Sequence, residues 1–329
     1  MLSMAVGIGF HYVRPNFKQP YPGIFGVTVE EFRAQLELLG RYGEYIGLSD
    51  IRSWLFEGKS LPERAWLVTF DDGLREQYEH ALPVLDDLCI PAVFFASTRP
   101  LYKREPLMVH VVHLLRSQIE PSRLVDTVYN IAEELGIKIG TVDHERAVSQ
   151  YFYDTPEVAE IKYLLNFALP CEARDDVIGL CFSRLLDWDV DELVSSLYMD
   201  KSQLRELAVR GYLGTHAHTH RPLGTLSEAE IETDIRTSLD LLEYWTKRRP
   251  DAIAYPYGSL AACTEATGHI ARKLGIKMGF TMERARIDEH ARPMCLPRCA
   301  PNDLPGGSMP RWSKDSLFQE ISCSGWYAA

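Results

Sequence analysis

The sequence predicts an α/β protein that has a mostly parallel sheet with helices on its outside. Short apolar runs rich in β-branched and aromatic residues alternate with stretches whose apolar residues recur at helical spacing, over residues 5–97 and again over residues 200–298. Such a βαβα rhythm is typical of parallel strands joined by helices. Between these two regions the rhythm changes to helical patterns alone, which predicts an insertion.

Four apolar runs in the first hundred residues predict strands of the sheet. Thr28 and Glu31 form a Thr-x-x-Glu capping box, which predicts the start of a helix, and Ser49 is expected to cap the next helix. A further helix is predicted from Leu74 to about Asp87, after the third run. The predicted strands lie at residues 5–10, 44–48, 65–70 and 91–97.

Residues 101–199 predict an inserted helical cap. An unstructured loop of roughly 100 residues would be unusual in a compact protein, and apolar residues recur here at helical spacing. We therefore expect residues 1–100 and 200–329 to form one domain, with the cap inserted between them. Helices of the cap are predicted near residues 109–115, 124–135, 156–169 and 173–186.

Past the insertion the alternation of helices and strands returns. Asp200 and the Ser-x-x-Glu box that begins at Ser227 are predicted helix caps. The tail, residues 305–329, is rich in Gly, Ser and Pro, and we expect it to pack on the surface or on a partner subunit. Strands are predicted at residues 212–215, 251–257, 276–281 and 294–298, with a helix at 261–274.

The composition is that of a soluble globular protein, with 329 residues of which 46% are apolar and 25% charged. The net charge of −11, without a basic stripe, argues against nucleic acid or an anionic membrane as a partner. No apolar run reaches the roughly 18–20 residues of a membrane span, and the start lacks the pattern of a signal peptide. Seven scattered cysteines without a Cys-x-x-Cys pair predict reduced thiols, so we expect a cytoplasmic protein.

Two motifs carry the chemistry. Thr-Phe-Asp-Asp-Gly at residues 69–73 places two acids at the end of an apolar run, and Thr-His-Ala-His-Thr-His at residues 215–220 follows a short predicted strand. Alone, the first motif is typical of a turn and the second of a solvated loop or an adventitious metal binder. Together they point to the carboxyl edge of a sheet, where two imidazoles and one carboxylate can bind a catalytic zinc and leave one position for water. The other acid could then take the proton of that water.

These residues resemble the polysaccharide deacetylase family, the NodB-type carbohydrate esterases. The resemblance rests on Thr-Phe-Asp-Asp-Gly followed downstream by His-x-x-x-His, and it extends from about residue 8 to about residue 303 apart from the insertion. It implies a deformed (β/α) barrel in which Asp72, His216 and His220 bind a divalent metal and Asp71 is the general base. Zinc is the first expectation for that metal, with cobalt, manganese, iron and nickel as alternatives.

The resemblance also implies residues that contact the transition state. Tyr257, in Tyr-Pro-Tyr-Gly, matches the third motif of the family, whose tyrosine N–H is thought to stabilise the oxyanion, and Pro256 and Thr69 are grouped with it as substrate or oxyanion residues. In many relatives an arginine just before Pro-Tyr orients the base, but here that position holds no arginine. We hypothesise that Arg298 takes its place; the alternative is a surface arginine.

The general acid is the residue that the sequence assigns least directly. The family often ends with a Leu-x-His motif, which this chain lacks, so the resemblance leaves the proton donor open among several histidines. We choose His11, because it ends the first predicted strand and can face the pocket; the alternative is a structural histidine bonded to the backbone. The other candidates are His218, His269 and His290.

The expected function is metal-dependent hydrolysis of an N-acyl group, with acetyl as the first choice, from an amino sugar. A cytoplasmic location favours a small-molecule or carrier-linked amino-sugar intermediate over a wall polysaccharide, and an oligomer is compatible with the sequence. One alternative is a deformylase or another non-peptide amide hydrolase that uses the same metal. Another is a catalytically silent binding protein, which the missing Leu-x-His and Arg positions favour slightly.

Overall fold

The structure, a computed structural model, describes residues 3–18, 21, 23–151, 155–313 and 317–322. Its main sheet has the strand order β10-β1-β5-β6-β7-β8-β9, with β4 beside the first half of β5, and every pairing in it is parallel. The strands are β1 (Met4–Phe10), β2 (Val13–Arg14), β3 (Val27–Thr28), β4 (Glu44–Tyr45), β5 (Arg64–Phe70), β6 (Ala92–Ala96), β7 (Leu213–Thr215), β8 (Ala252–Ala254), β9 (Met278–Phe280) and β10 (Arg298–Cys299).

The sheet curls until it is nearly closed. Phe280 of β9 forms a parallel bridge with Leu296, two residues before β10, while β10 itself pairs with β1. Helices surround the strands, so the predicted deformed (β/α) barrel is confirmed. The short strands β2 and β3 form a separate parallel pair.

The helices fall into the two parts of the chain that the sequence distinguishes. Between β6 and β7 the described residues form helices and no strand. The helices Arg99–Lys103, His144–Gln150 and Val190–Leu197 were not among those predicted. The helices are α1 (Val29–Leu39), α2 (Leu48–Glu57), α3 (Leu82–Asp87), α4 (Arg99–Lys103), α5 (Met108–Gln118), α6 (Pro121–Glu134), α7 (His144–Gln150), α8 (Pro156–Tyr163), α9 (Cys171–Leu185), α10 (Val190–Leu197), α11 (Lys201–Arg210), α12 (Glu228–Thr246), α13 (Glu265–Lys273) and α14 (Leu317–Glu320). None of these helices combines the length and the apolar character that a membrane-spanning helix needs.

Helix starts follow the predicted caps with one exception. Thr28, Asp200 and Ser227 each accept a hydrogen bond from the backbone of the first turn, and each forms a reciprocal capping box. The prediction that Ser49 caps α2 is wrong, because α2 begins at Leu48 and Gly47 is its N-cap. The Asp50 carboxylate accepts the Gly47 N–H at 2.7 Å and closes that helix end.

The chain divides into two compact units. The barrel unit contains Met1–Pro15, Gly26–Glu105 and Val194–Ala329, and the helical unit contains Asn16–Phe25 and Pro106–Leu193. In the helical unit, α5 and α6 both pack against α9. Its core is formed by fully buried side chains of these helices, among them Leu115, Val128, Ile131 and Val177.

The core of the barrel unit is rich in stacked aromatic rings. Phe70 lies parallel to Phe94 at 4.6 Å between ring centroids, and Phe10 and Phe32 pack around it. The C-terminal tail contributes to the same core, because Phe318 packs on Trp66 at 4.9 Å and Leu317 and Ile321 are buried. For residues 317–322 the expected packing on the surface or on a partner is therefore wrong, since these apolar side chains lie on the inner face of a helical turn.

Replacing Phe94 with alanine should lower the free energy of unfolding by about 3–5 kcal/mol, because a large aromatic side chain is removed from a close-packed core. Guanidinium denaturation measures the loss. The matched control is Phe56→Ala, since Phe56 lies on α2 and is 50% exposed; its effect should stay within about 0.5 kcal/mol. Equal losses in the two variants would show that Phe94 is not part of a close-packed core.

Candidate active site

The candidate site lies where neighbouring parallel strands end. Phe10, the last residue of β1, is paired in register with Phe70, the last residue of β5, and Ala96 at the end of β6 is paired with Thr215 at the end of β7. The residues that follow these strands therefore share one edge of the sheet, the carboxyl edge at which parallel sheets place their functional groups.

Asp72, His216 and His220 converge at this edge. Oδ1 of Asp72 lies 3.4 Å from Nε2 of His216 and 3.2 Å from Nε2 of His220, and all three side chains are buried. Within the described ranges this is the one group of three or more His, Cys, Asp or Glu side chains close enough to hold an ion. Ligands about 2.0–2.1 Å from a tetrahedral ion lie about 3.3–3.4 Å apart, so the three donors fit a zinc-sized cation.

The tautomer of His216 is fixed for metal binding. Its Nδ1 lies 2.7 Å from the carbonyl oxygen of Ala254, at the end of β8. A carbonyl only accepts, so Nδ1 carries a hydrogen and Nε2 is the nitrogen that faces Asp72 and His220. A hydrogen bond from the non-ligating nitrogen is the usual way in which a protein orients a metal-binding imidazole.

Backbone conformations that are costly for residues with a side chain concentrate at the site. Asp72, Ala217, His220 and Tyr257 have φ values of 76°, 60°, 60° and 65°, in the left-handed region. Gly73 also has a positive φ, and a Cβ atom there would lie 2.9 Å from the Cβ of the last residue of β6. Strained residues of this kind persist only where the surrounding structure holds them, and they cluster at functional sites.

Beside the three candidate ligands, Asp71 forms a two-point ion pair with Arg298. Nη1 and Nη2 of Arg298 each lie 2.8 Å from one carboxylate oxygen, and the arginine is fully buried. Arg298 also donates from Nη1 to Thr69 Oγ1 at 2.8 Å and from Nε to the Thr281 carbonyl at 3.1 Å. The structure thus brings Arg298 to the position for which we hypothesised it.

The charge of Arg298 keeps Asp71 ionised. Burial alone would raise the pKa of Asp71, but the guanidinium charge, the nearby His216 and the two hydrogen bonds outweigh it, so the pKa lies below its usual range. Burial likewise opposes a proton on His216, yet the charges of Asp71 and Asp72 raise its pKa. The two carboxylates therefore favour a positive charge at this point, which a metal ion would also supply.

The other predicted site residues differ in how far they are buried. Thr69 is fully buried; its hydroxyl donates to the Ile8 carbonyl at 2.8 Å and accepts from Arg298. Thr69 therefore supports Arg298, whereas we expected it to face the substrate. Tyr257 is 46% exposed, and its ring lies edge-on to His220 at 5.1 Å. Pro256, just before it, is buried.

His11 and Tyr12 directly follow β1 and lie in contrasting environments. His11 is exposed, and its charge helps to lower the pKa of Asp71. Tyr12 is buried, and burial together with the charge of Asp72 raises its phenol pKa well above the usual value. His218 is turned away from the three ligands, with Nδ1 2.8 Å from Thr98 Oγ1.

Gln77 is a residue of the site that sequence reasoning missed. Its buried amide nitrogen donates to the Asp71 carbonyl at 2.6 Å and to the His11 carbonyl at 3.0 Å, so it ties together the ends of β5 and β1. It begins a π-helical turn, Gln77–Ala81. The sequence feature that could have revealed Gln77 is its place on the apolar stripe of the helix that begins near Leu74. A polar side chain on such a stripe needs buried hydrogen-bond partners.

Comparisons with known proteins find a matching family model and solved structures with a similar fold. A family model described as polysaccharide deacetylase matches residues 58–150 and 185–279. Among solved structures, the deacetylase PplD of Streptococcus pyogenes in complex with acetate is similar over 98% of this chain and 100% of its own, at 15% identity and a TM-score of 0.59. IcaB from Ammonifex degensii (18% identity, 96% and 95% covered, TM-score 0.53) and the BpsB deacetylase domain from Bordetella bronchiseptica (17%, 90% and 95%, 0.53) are also similar. No curated protein sequence matches the chain.

Replacing Arg298 with methionine should raise the pKa of Asp71, because burial then acts on the carboxyl group without the guanidinium charge and its two hydrogen bonds. Carbon-13 NMR titration of the aspartate carboxyl signals measures the change. Arg298→Lys, which keeps the charge but not the two-point contact, should give a smaller rise. The control is Arg52→Met, since Arg52 forms a two-point ion pair with Asp251 elsewhere. An unchanged Asp71 pKa in Arg298→Met would contradict this account.

Proposed function

The chain belongs to the polysaccharide deacetylase family, and from that premise we propose that it removes the N-acetyl group of an amino sugar by metal-dependent hydrolysis. As a member of that family it is a hydrolase of N-acyl amide bonds. The observation that carries the proposal is the convergence of Asp72, His216 and His220 beside an aspartate that a buried arginine keeps ionised. One acid and two imidazoles are a common ligand set of a hydrolytic metal, and the neighbouring acid supplies a base.

Asp72, His216 and His220 would hold the divalent ion. Two imidazole nitrogens and one carboxylate oxygen suit zinc first, and cobalt, manganese, iron and nickel remain compatible with the same donors. When bound, such an ion lowers the pKa of water from 15.7 towards about 7 and polarises an amide carbonyl. His216 and His220 would bind the ion through the lone pairs of their Nε2 atoms, so any proton on these nitrogens must leave when the ion binds.

Asp71 acts as the general base. Arg298 uses one lone pair on each carboxylate oxygen, and each oxygen retains another that can accept a proton from the attacking water. Because the pKa of Asp71 lies below its usual range, the group is ionised at neutral pH. Arg298 contributes by fixing the plane of the carboxylate, so that the base is aimed before the substrate arrives.

Tyr257 supplies the backbone donor for the oxyanion. Pro256 has no N–H, so Tyr257 provides the first donor after it in the segment, and the ring contact with His220 places this segment beside the metal ligands. A backbone N–H directed at the carbonyl oxygen stabilises the charge that develops there as water adds to the amide carbon.

His11 donates a proton to the leaving amine. The amide nitrogen must gain a proton as its bond to the acyl carbon breaks. Asp71 takes the proton of the attacking water, and we assign the donation to the amine to a second group, His11. His11 is exposed, lies at the end of the strand next to Asp71, and acts on it electrostatically. This position suits a group that meets the amine side of a bound substrate.

The substrate we propose is a small-molecule or carrier-linked amino sugar. The proposal includes the cytoplasmic location that the cysteine pattern predicts. In the cytoplasm the enzyme would meet a biosynthetic intermediate rather than a cell-wall polymer. The family supports a sugar substrate that carries an N-acetyl group. Profiling of N-acetyl and N-formyl sugars of increasing length would separate this substrate from the deformylase alternative.

Asparagine at either acid should slow the release of acetate from N-acetylglucosamine oligomers, but only one of the two substitutions should remove the metal. Asp72→Asn loses a ligand and should lose bound zinc as well. Asp71→Asn should retain zinc while its rate falls about 10²–10⁴-fold, the usual contribution of a positioned base. Acetate release and metal analysis after dialysis measure the two effects. Asp87→Asn, at a surface ion pair with Arg33, is the control.

Two outcomes would contradict the roles assigned to these acids. An active Asp71→Asn variant would remove Asp71 as the base. A wild-type chain that binds N-acetylated sugar and zinc but releases no acetate would support the catalytically silent binding protein instead.

Replacing His11 with glutamine should remove the basic limb of the pH–rate profile. A general acid must be protonated to act, so the wild-type rate should fall as His11 loses its proton, and glutamine has no such transition. The plateau rate should also fall about 10²–10⁴-fold. His269→Gln, at an exposed position on α13, is the control. If His11→Gln keeps the basic limb of the wild type, another group donates the proton.

A further inference from the structure

Two buried polar residues of α12 face the segment between the histidine ligands. Asp234 is 7% exposed and Ser238 is fully buried, and they lie one helical turn apart on the side of α12 that carries Ile231 and Ile235. A polar side chain on the buried face of an amphipathic helix is unfavourable unless it is hydrogen-bonded. The partners of these two side chains are therefore informative.

Asp234 binds the middle of the loop that joins the two ligands. Its Oδ1 accepts the His218 N–H at 2.6 Å, and the Thr219 N–H lies 3.3 Å from each carboxylate oxygen. Oδ2 also accepts a short hydrogen bond from the Thr219 hydroxyl. All three donors belong to residues that stand between His216 and His220.

Ser238 binds Thr215 and Ala217, which precede the two residues bound by Asp234. Its hydroxyl donates to the Ala217 carbonyl at 3.1 Å and lies 2.7 Å from Thr215 Oγ1. One helix thus holds both a carbonyl and two N–H groups of the loop. In Ala217 and His220 the loop also contains two residues of positive φ, which stay in place only if neighbouring groups fix them.

The end of β6 holds the other side of the same loop. Ala96 accepts the His216 N–H at 2.9 Å, and Ser97 donates its hydroxyl to the His216 carbonyl at 2.8 Å. The N–H of Arg99 donates to the His218 carbonyl at 3.0 Å. The backbone between the ligands is thus anchored from both sides by protein groups.

We propose that Asp234 and Ser238 are positioning residues that form the metal-binding loop before the ion arrives. They act through the backbone of residues 217–219 and through the hydroxyl groups of Thr215 and Thr219. With the loop held in this way, His216 and His220 present Nε2 towards Asp72 without a change of backbone conformation. This inference rests on the proposed metal site and adds the residues that determine its affinity.

The chemistry of Asp234 predicts a graded series of substitutions. Leucine is similar in size but removes both acceptors, which leaves the N–H groups of His218 and Thr219 without their partner. Asparagine keeps one oxygen for these N–H groups, and its amide can donate to the Thr219 hydroxyl, which is able to accept. The expected order of zinc affinity is therefore wild type, then Asp234→Asn, then Asp234→Leu.

The test measures zinc affinity of the metal-free full chain by competition with a chelator, together with amide hydrogen exchange before zinc is added. Asp234→Leu and Ser238→Ala should weaken zinc binding about 10–100-fold, the usual effect of losing an outer-shell partner of a metal ligand. Exchange at the amides of His218 and Thr219 should become faster in the metal-free protein. Asp240→Asn is the matched control, because Asp240 is an exposed acid of α12 that pairs with Arg249.

The outcomes separate this inference from the proposed function. A folded Asp234→Leu variant with wild-type zinc affinity overturns the inference and leaves the hydrolase proposal intact. If Asp234→Leu does not fold, Ser238→Ala and Thr219→Val provide the same comparison, and unchanged zinc affinity in both overturns it. A wild-type chain that binds neither zinc nor another divalent ion overturns the proposed function and this inference together.

Discussion

The ion pair between Arg298 and Asp71 is the constraint on which the rest of the site depends. Both groups are buried, so each would be costly to leave unpaired, and removal of one partner from such a pair typically costs about 3–5 kcal/mol. The barrel makes room for the arginine by placing a glycine in β1. A Cβ atom at Gly7 would lie 2.8 Å from Arg298 Cγ, closer than two such carbons can approach, whereas one at Gly9 would be limited by Met282 Sδ at 3.0 Å. Gly7 is thus the residue of β1 that the buried arginine requires.

The grouping of the three candidate ligands could be predicted because these residues belong to local motifs. Asp72, His216 and His220 follow strands whose apolar runs are evident, and parallel strands end at a common edge. Arg298 was predicted by a different argument, since the base proposed at Asp71 needs a cation beside it and the position expected from the family holds no arginine. The burial of Thr69 beneath Arg298 could not be predicted from a local motif, because it depends on which strands lie beside β5.

The residues that sequence reasoning missed act through contacts between distant elements. Gln77 binds a carbonyl 66 positions away, and Asp234 and Ser238 bind backbone groups that only the packing of α12 beside β7 brings near. No periodic pattern encodes such partners. What the sequence does show is a polar residue on an apolar stripe, which marks a place where the fold must provide a hydrogen bond.

Closure of the barrel joins the first strand of the main sheet to its last, so the sheet can close only late in the synthesis of these residues. Gly7 is paired with Arg298, so β1 leaves the ribosome long before the strand that covers its outer edge. Until then, the edge of β1 that pairs with β10 lacks its backbone partner, and the Asp71 carboxylate lacks the guanidinium of Arg298. The buried ion pair can therefore form only after residue 298 has been synthesised.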